Sequence, residues 1–89
     1  MTKIVRKASA GTLESSDVMI ELSPSDALEV AVESVVKQQF GAAIESAVRD
    51  VLQSMGVQAA AVRVVDRGAL ECVIRARTET AVRRGKGEE

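Results

Sequence analysis

Apolar and polar residues alternate in four stretches of this chain and follow a helical period in one. Over 17–22, Val18, Ile20 and Leu22 point one way and Asp17, Met19 and Glu21 the other, the pattern of a half-buried strand. Residues 8–13 are small or β-compatible. Between the two runs, Glu14-Ser15-Ser16-Asp17 is turn chemistry, because Ser and Asp side chains bond nearby backbone, so 8–22 predicts a β-hairpin. Ser23-Pro24-Ser25-Asp26 is a break. Leu28, Val30 and Val32 then share a face opposite Glu29, Ala31 and Glu33, which favours another strand. From Val36 the period changes. Val36, Phe40, Ile44, Ala47, Val48, Val51, Leu52 and Met55 fall three and four apart, one apolar stripe on a long helix with Ser34 as N-cap and Gly56 as its stop.

The second half returns to strand periods. Ala60, Val62 and Val64 alternate against Ala61 and Arg63 within 57–65, and Asp66-Arg67-Gly68 reads as a tight turn. Leu70, Cys72 and Ile74 alternate against Glu71 and Arg75, which predicts a strand over 69–75 with Cys72 facing inward as a small hydrophobe. A short helix is expected after Arg77. The order is ββ-β-α-ββ. Burying both apolar faces economically calls for an α+β fold, a mainly antiparallel β-sheet packed on one long amphipathic helix. Phe40, Ile44, Val48, Val51 and Leu52 are then expected against the sheet. The 89 residues make one domain, 1–89, with flexible ends at 1–7 and 85–89.

Composition narrows the chemistry. Phe40 is the only aromatic residue, so the core is built from Val, Leu, Ile, Ala and Met, and no platform exists for stacking bases. Twelve basic and 13 acidic residues give a net charge of −1, which argues against a nucleic-acid partner. There is no histidine, so neither a Ser-His nor a Cys-His nucleophile pair is available, and the commonest metal ligand is missing. A single cysteine excludes an internal disulfide. No leader-like segment or membrane-length apolar run appears, so no membrane partner and a cytoplasmic location are expected. The acidic pairs Glu29/Glu33 and Glu14/Asp17 read as solvated charge. The expectation is therefore a non-catalytic chain without a metal site. Its best candidate for chemistry is the Glu14-Ser15-Ser16-Asp17 turn. On spacing alone that turn is an ordinary polar hairpin tip. The functional reading is a hydroxyl held out for covalent attachment, with the modifying enzyme supplying the base.

Three segments carry a resemblance. Gly11-Thr12-Leu13-Glu14-Ser15-Ser16-Asp17-Val18-Met19-Ile20 resembles the prosthetic-group attachment region of citrate lyase acyl carrier proteins, the small gamma subunits of that complex. Lys37-Gln38-Gln39-Phe40-Gly41 is similar to the start of the family's helix. Asp66-Arg67-Gly68-Ala69-Leu70-Glu71-Cys72-Val73-Ile74-Arg75-Ala76-Arg77 is similar to its C-terminal signature. The resemblance spans roughly residues 8–78 and implies a carrier. It puts the attachment serine at Ser15, joined by a phosphodiester to phosphoribosyl-dephospho-CoA, whose thiol carries acetyl. Ser16 stands where the family pattern has glycine or another small residue. The implied partners are a prosthetic-group transferase and the citrate lyase alpha and beta subunits. The alpha subunit exchanges acetyl for citryl, and the metal-dependent beta subunit cleaves the citryl thioester to oxaloacetate. The related carrier of malonate decarboxylase is the alternative within this class, and a non-catalytic oligomerisation module is the alternative from another.

Overall fold

The computed structural model describes residues 2–87, so Glu88 and Glu89 of the expected flexible tail lie outside the described residues. The hairpin forms as its alternation requires. Strand β1 (Ala8–Gly11) pairs antiparallel with β2 (Val18–Ser23), with Gly11 opposite Met19 and Ala8 opposite Leu22. Strand β3 (Leu28–Ser34) follows the proline break, helix α1 (Lys37–Ser54) the change of period, and then come β4 (Ala60–Asp66) and α2 (Glu71–Gly85). The sheet order is β1-β2-β4-β3.

The sheet is mixed, which corrects the mainly antiparallel expectation. β4 runs antiparallel to β2 but parallel to β3, pairing Leu28 with Ala60 and Ser34 with Asp66. The cause is the helix between them. The 18 residues of α1 span about 27 Å at ~1.5 Å per residue. The seven residues of β3 span about 23 Å at ~3.3 Å each. α1 therefore carries the chain back to the end where β3 began, and β4 leaves in the same direction, as a helical crossover requires.

The second correction concerns the chain beyond Gly68. Residues 71–85 form one helix, and there is no strand over 69–75. Its buried residues are Ile74, Thr78, Ala81, Val82 and Gly85, the three- and four-residue spacing of one helix face. Leu70 and Cys72, which the strand reading turned inward, are exposed. Two helices, not one, thus cover one face of the sheet, with α2 over β1 and β2 and α1 over β3.

The core between these layers holds Val18, Ile20 and Leu22 of β2, Val62 and Val64 of β4, and Ile44, Ala47, Val48 and Leu52 of α1. Each large aliphatic side chain buried there contributes about 1.5–3 kcal/mol relative to leaving it in water. Val51 is buried as expected, but Phe40 is 52 % exposed. It sits in the first turn of α1, beyond the end of the sheet that covers the rest of the stripe. α1 stops at Gly56 in a Schellman arrangement: the Val57 amide donates to the Leu52 carbonyl (2.9 Å) and the Gly56 amide to that of Gln53 (3.0 Å). The N-cap is Val36 rather than the expected Ser34, which lies two residues earlier and accepts from the Val36 amide through its Oγ at 3.1 Å.

The segment before β1, read as a frayed start, carries Ile4 into the core at 3 % exposure. The Thr2 amide donates to the Gly56 carbonyl (2.8 Å) and the Val5 amide to that of Gly85 (3.0 Å). Gly85, expected in the tail, is itself buried.

Candidate functional site

The β1–β2 connection is a shaped turn. Gly11 leaves β1 with φ +95°, and a Cβ built there would lie 1.8 Å from the Val18 carbonyl oxygen, so only glycine fits. Thr12 Oγ1 accepts from the Glu14 amide (3.2 Å) and donates to Asp17 Oδ2 (2.6 Å). The Asp17 amide donates to the Glu14 carbonyl at 3.1 Å, closing a four-residue turn over Ser15 and Ser16. Ser16, its third residue, has φ +65°, the pattern of a type II turn. A positive φ favours glycine, the residue type that the resemblance puts at this position. Ser15 occupies the second place, exposed, and its hydroxyl has no hydrogen-bond partner among the described residues.

The turn is braced from β4. The Ser16 amide donates to the Arg67 carbonyl (2.8 Å), and the Arg67 amide to the Asp17 carbonyl (2.9 Å). A second brace comes from α2. Arg77 Nε donates to Asp17 Oδ1 (3.2 Å) and Arg77 Nη2 to Oδ2 (3.1 Å), a two-pronged ion pair with a carboxylate side chain only 14 % exposed. Oδ1 also accepts from the Val18 amide at 2.7 Å. Hydrogen bonds from Thr12 and the Val18 amide, and then from Arg77 with its charge, outweigh partial burial and hold the Asp17 carboxyl at about 2, below its ordinary 3.8. Asp17 is thus an anchor rather than solvated charge. Its oxygens are occupied by donors, so it is no base for Ser15.

Two more connections meet this end of the molecule. Asp66, 2 % exposed, accepts from Ser34 Oγ (2.8 Å) at the end of β3 and from the Ala69 amide (3.0 Å) ahead of α2. Beside it lies an open, mainly apolar groove of about 400 Å³, lined among others by Val36, Phe40, Ile44, Leu70 and Ile74. The other candidates stand apart. Glu33 pairs with Arg63 on the helix-free face of the sheet, Glu29 is exposed, and Cys72 lies exposed on α2. Among the described residues no group of three or more His, Cys, Asp or Glu is placed to hold a metal ion, and no helix is long and apolar enough to cross a membrane.

Sequence reasoning singled out the serine turn but missed most of what braces it. Gly11 carried a signal, a glycine at the end of a strand and ahead of polar turn residues. Arg77, 60 positions from Asp17, carried none, because only the packing of α2 brings the two together.

Residues 5–85 match the acyl carrier family model described as malonate decarboxylase delta subunit. The chain is 56% identical over 84 residues to citrate lyase acyl carrier protein 2 of Salmonella paratyphi A, covering 92% of this chain and 87% of that one. It is 50% identical over 86 residues to the citrate lyase acyl carrier protein of Haemophilus influenzae strain PittEE, covering 97% and 90%. Its fold is also that of a chain in the crystal structure of a Pseudomonas malonate decarboxylase hetero-tetramer in complex with malonate, with a TM-score of 0.78 at 21% identity over 93% of this chain and 87% of that chain. With half or more of the aligned residues identical to those relatives across nearly its whole length, the chain belongs to the citrate lyase acyl carrier protein family.

Proposed function

We propose that this chain is the acyl carrier subunit of a citrate lyase, not itself a catalyst, and that Ser15 holds a phosphoribosyl-dephospho-CoA group through a phosphodiester. The observation that carries this reading is the Ser15 hydroxyl, exposed and without a hydrogen-bond partner among the described residues, on a turn braced by Arg67 and Arg77. The attached group would supply a thiol that holds acetyl and citryl as thioesters while citrate is cleaved to acetate and oxaloacetate. The chain's own residues present and orient. Ser15 offers the oxygen, the Ser16 backbone sets its direction, and the Asp17–Arg77 pair keeps the turn from collapsing. No histidine is present and the oxygens of Asp17 are engaged, so the transferase must take the Ser15 proton. The partners are that transferase and the citrate lyase alpha and beta subunits, in the cytoplasm. A malonate decarboxylase carrier is the second reading, favoured by the family description and the shared fold. The 50–56% identity to citrate lyase carriers favours the first.

The test is loading by a citrate lyase prosthetic-group transferase, read by intact mass. Ser15→Ala should gain no mass while folding normally. Ser16→Gly should load fully, since glycine suits the positive φ. Loading of Ser15→Ala would remove the assignment.

A further inference from the structure

Strands β2 and β4 stay in register as far as Val18 opposite Asp66, and beyond that pair one side takes an extra residue. The Ser16 amide donates to the Arg67 carbonyl (2.8 Å) and the Arg67 amide to the Asp17 carbonyl (2.9 Å), so Ser16 and Asp17 together face the single residue Arg67. With Ser16 at φ +65°, this is a β-bulge of the kind that ordinarily has glycine at its first position. The bulge fixes Arg67 against the Ser15 turn through its main chain alone, which leaves the side chain uncommitted. Opposed residues of an antiparallel ladder lie about 5.5 Å apart between Cα atoms, and Ser15 is one step of about 3.8 Å further along. An extended arginine side chain spans that separation. Arg63 on β4 and Arg75, Arg77 and Arg83 on α2 each pair with a carboxylate, and Arg84 donates to the Ser9 carbonyl. Arg67 is exposed, and its guanidinium has no partner among the described residues. An exposed arginine is ordinary by itself. One locked by two main-chain hydrogen bonds beside the candidate attachment hydroxyl is placed to meet whatever that hydroxyl carries.

We infer that the Arg67 guanidinium holds the phosphodiester that joins Ser15 to its attached group, and so sets the direction in which that group leaves the turn. The inference rests on the carrier reading above. A phosphodiester spreads its negative charge over its unbridged oxygens. A guanidinium presents a planar fork of N–H donors that matches such oxygens, and charge-assisted bonds of this kind are shorter and stronger than neutral ones. Arg77, the other arginine at this turn, gives Nε and Nη2 to Asp17 and serves as a brace. Glu14, the acidic neighbour of Ser15, is exposed and makes no ion pair with Arg67 among the described residues, so the guanidinium is open to the link. The contact faces solvent and is therefore weak and sensitive to salt. Its effect is on geometry: the root of the arm is held while the thiol end stays free.

The experiment compares full-length carrier before and after loading by the transferase, with peptide mass first locating the adduct. In nitrogen–proton NMR spectra, solvent exchange of the Arg67 Nε–H, assigned by its loss in Arg67→Gln, should slow about two- to fivefold on loading, the factor of an exposed charge pair. The slowing should shrink between about 50 and 500 mM NaCl as the charges are screened. In phosphorus NMR, loaded Arg67→Gln should show a shifted phosphodiester signal and unshifted pyrophosphate signals, and Arg67→Lys, which keeps the charge without the fork, should lie between it and the parent. Unloaded Arg67→Gln should melt as the parent does, because the bulge uses only main-chain atoms of Arg67. An unchanged Nε–H on loading, a parent-like phosphodiester signal in Arg67→Gln, or a shift confined to the pyrophosphate would overturn the inference. So would a lower Tm of unloaded Arg67→Gln restored in the double variant with Glu14→Gln, which would give the guanidinium to Glu14. An adduct absent from Ser15 removes the carrier reading and this inference with it. A loaded Ser15 beside an indifferent Arg67 removes this inference alone.

Discussion

Two glycines with the same backbone angle allow the shape of the Ser15 turn to be tested by difference. Gly11 and Gly68 both have φ +95°, but an added Cβ at Gly68 meets nothing within 4 Å. At Gly11 it meets the Val18 carbonyl oxygen at 1.8 Å and its carbon at 2.9 Å. Left-handed backbone costs an L-residue about 1–2 kcal/mol. The reduced entropy of the unfolded Ala chain returns about 0.4–1 kcal/mol. Gly68→Ala should therefore cost about 1 kcal/mol. Gly11→Ala bears the same strain and must also push the carbonyl from 1.8 Å out to the 3.4 Å where ordinary contact begins. That opens the end of the β1–β2 ladder, where each hydrogen bond is worth about 0.5–1.5 kcal/mol. The total is about 2–4 kcal/mol, or a Tm lower by about 10–25 °C for a domain of this size, against about 5 °C for Gly68→Ala. Urea and thermal unfolding followed by circular dichroism would measure both. Equal costs at the two positions would refute the reasoning, because the angle is shared and only the close approach differs.

Further outcomes follow from burial and charge. The Asp17 carboxyl takes its proton at about 2 when folded and near 3.8 when unfolded. Its stabilisation is therefore complete above about pH 4 and lost as pH falls towards 2, where the unfolded chain binds the proton first. Asp17→Asn should flatten that limb of the curve of unfolding free energy against pH, and an unchanged limb would contradict the anchor role. Leu52→Ala, at a fully buried position, should cost about 2–5 kcal/mol in urea unfolding. Phe40→Ala, at a half-exposed one, should cost under about 1 kcal/mol, and the reverse order would mean that the face of α1 is misplaced. Exposed Cys72 should react with a thiol reagent in the folded chain, and Cys72→Ser should shift stability by less than about 0.5 kcal/mol. A thiol that reacts only after unfolding would contradict its exposure.

The elements with long, clean periods were legible in the sequence. Val18/Ile20/Leu22, Leu28/Val30/Val32 and Ala60/Val62/Val64 are the inward faces of real strands, and the stripe from Ile44 to Leu52 is the buried face of α1. The strand expected over 69–75 rested on three residues, Leu70, Cys72 and Ile74, two of which are exposed. The true period of α2 runs through Ile74, Thr78, Ala81, Val82 and Gly85, and Thr78 and Gly85 do not read as apolar, yet the close packing of α2 buries them. The parallel β3–β4 pair was missed because direction follows from the path of the intervening helix rather than from either strand's own pattern. At the candidate site, the turn and its serine could be read locally. The anchors could not, since Arg77 and Arg67 reach Asp17 and Ser16 only through the assembled sheet and helix.

The most direct measurement is peptide mapping by mass spectrometry of the chain taken from its native host within its complex. The account predicts a phosphoribosyl-dephospho-CoA adduct on the peptide spanning residues 8–37 after cleavage at lysine and arginine, narrowed to Ser15 by fragmentation. An unmodified chain in an active complex, or an adduct on Ser16 or Cys72 with Ser15 free, would contradict it.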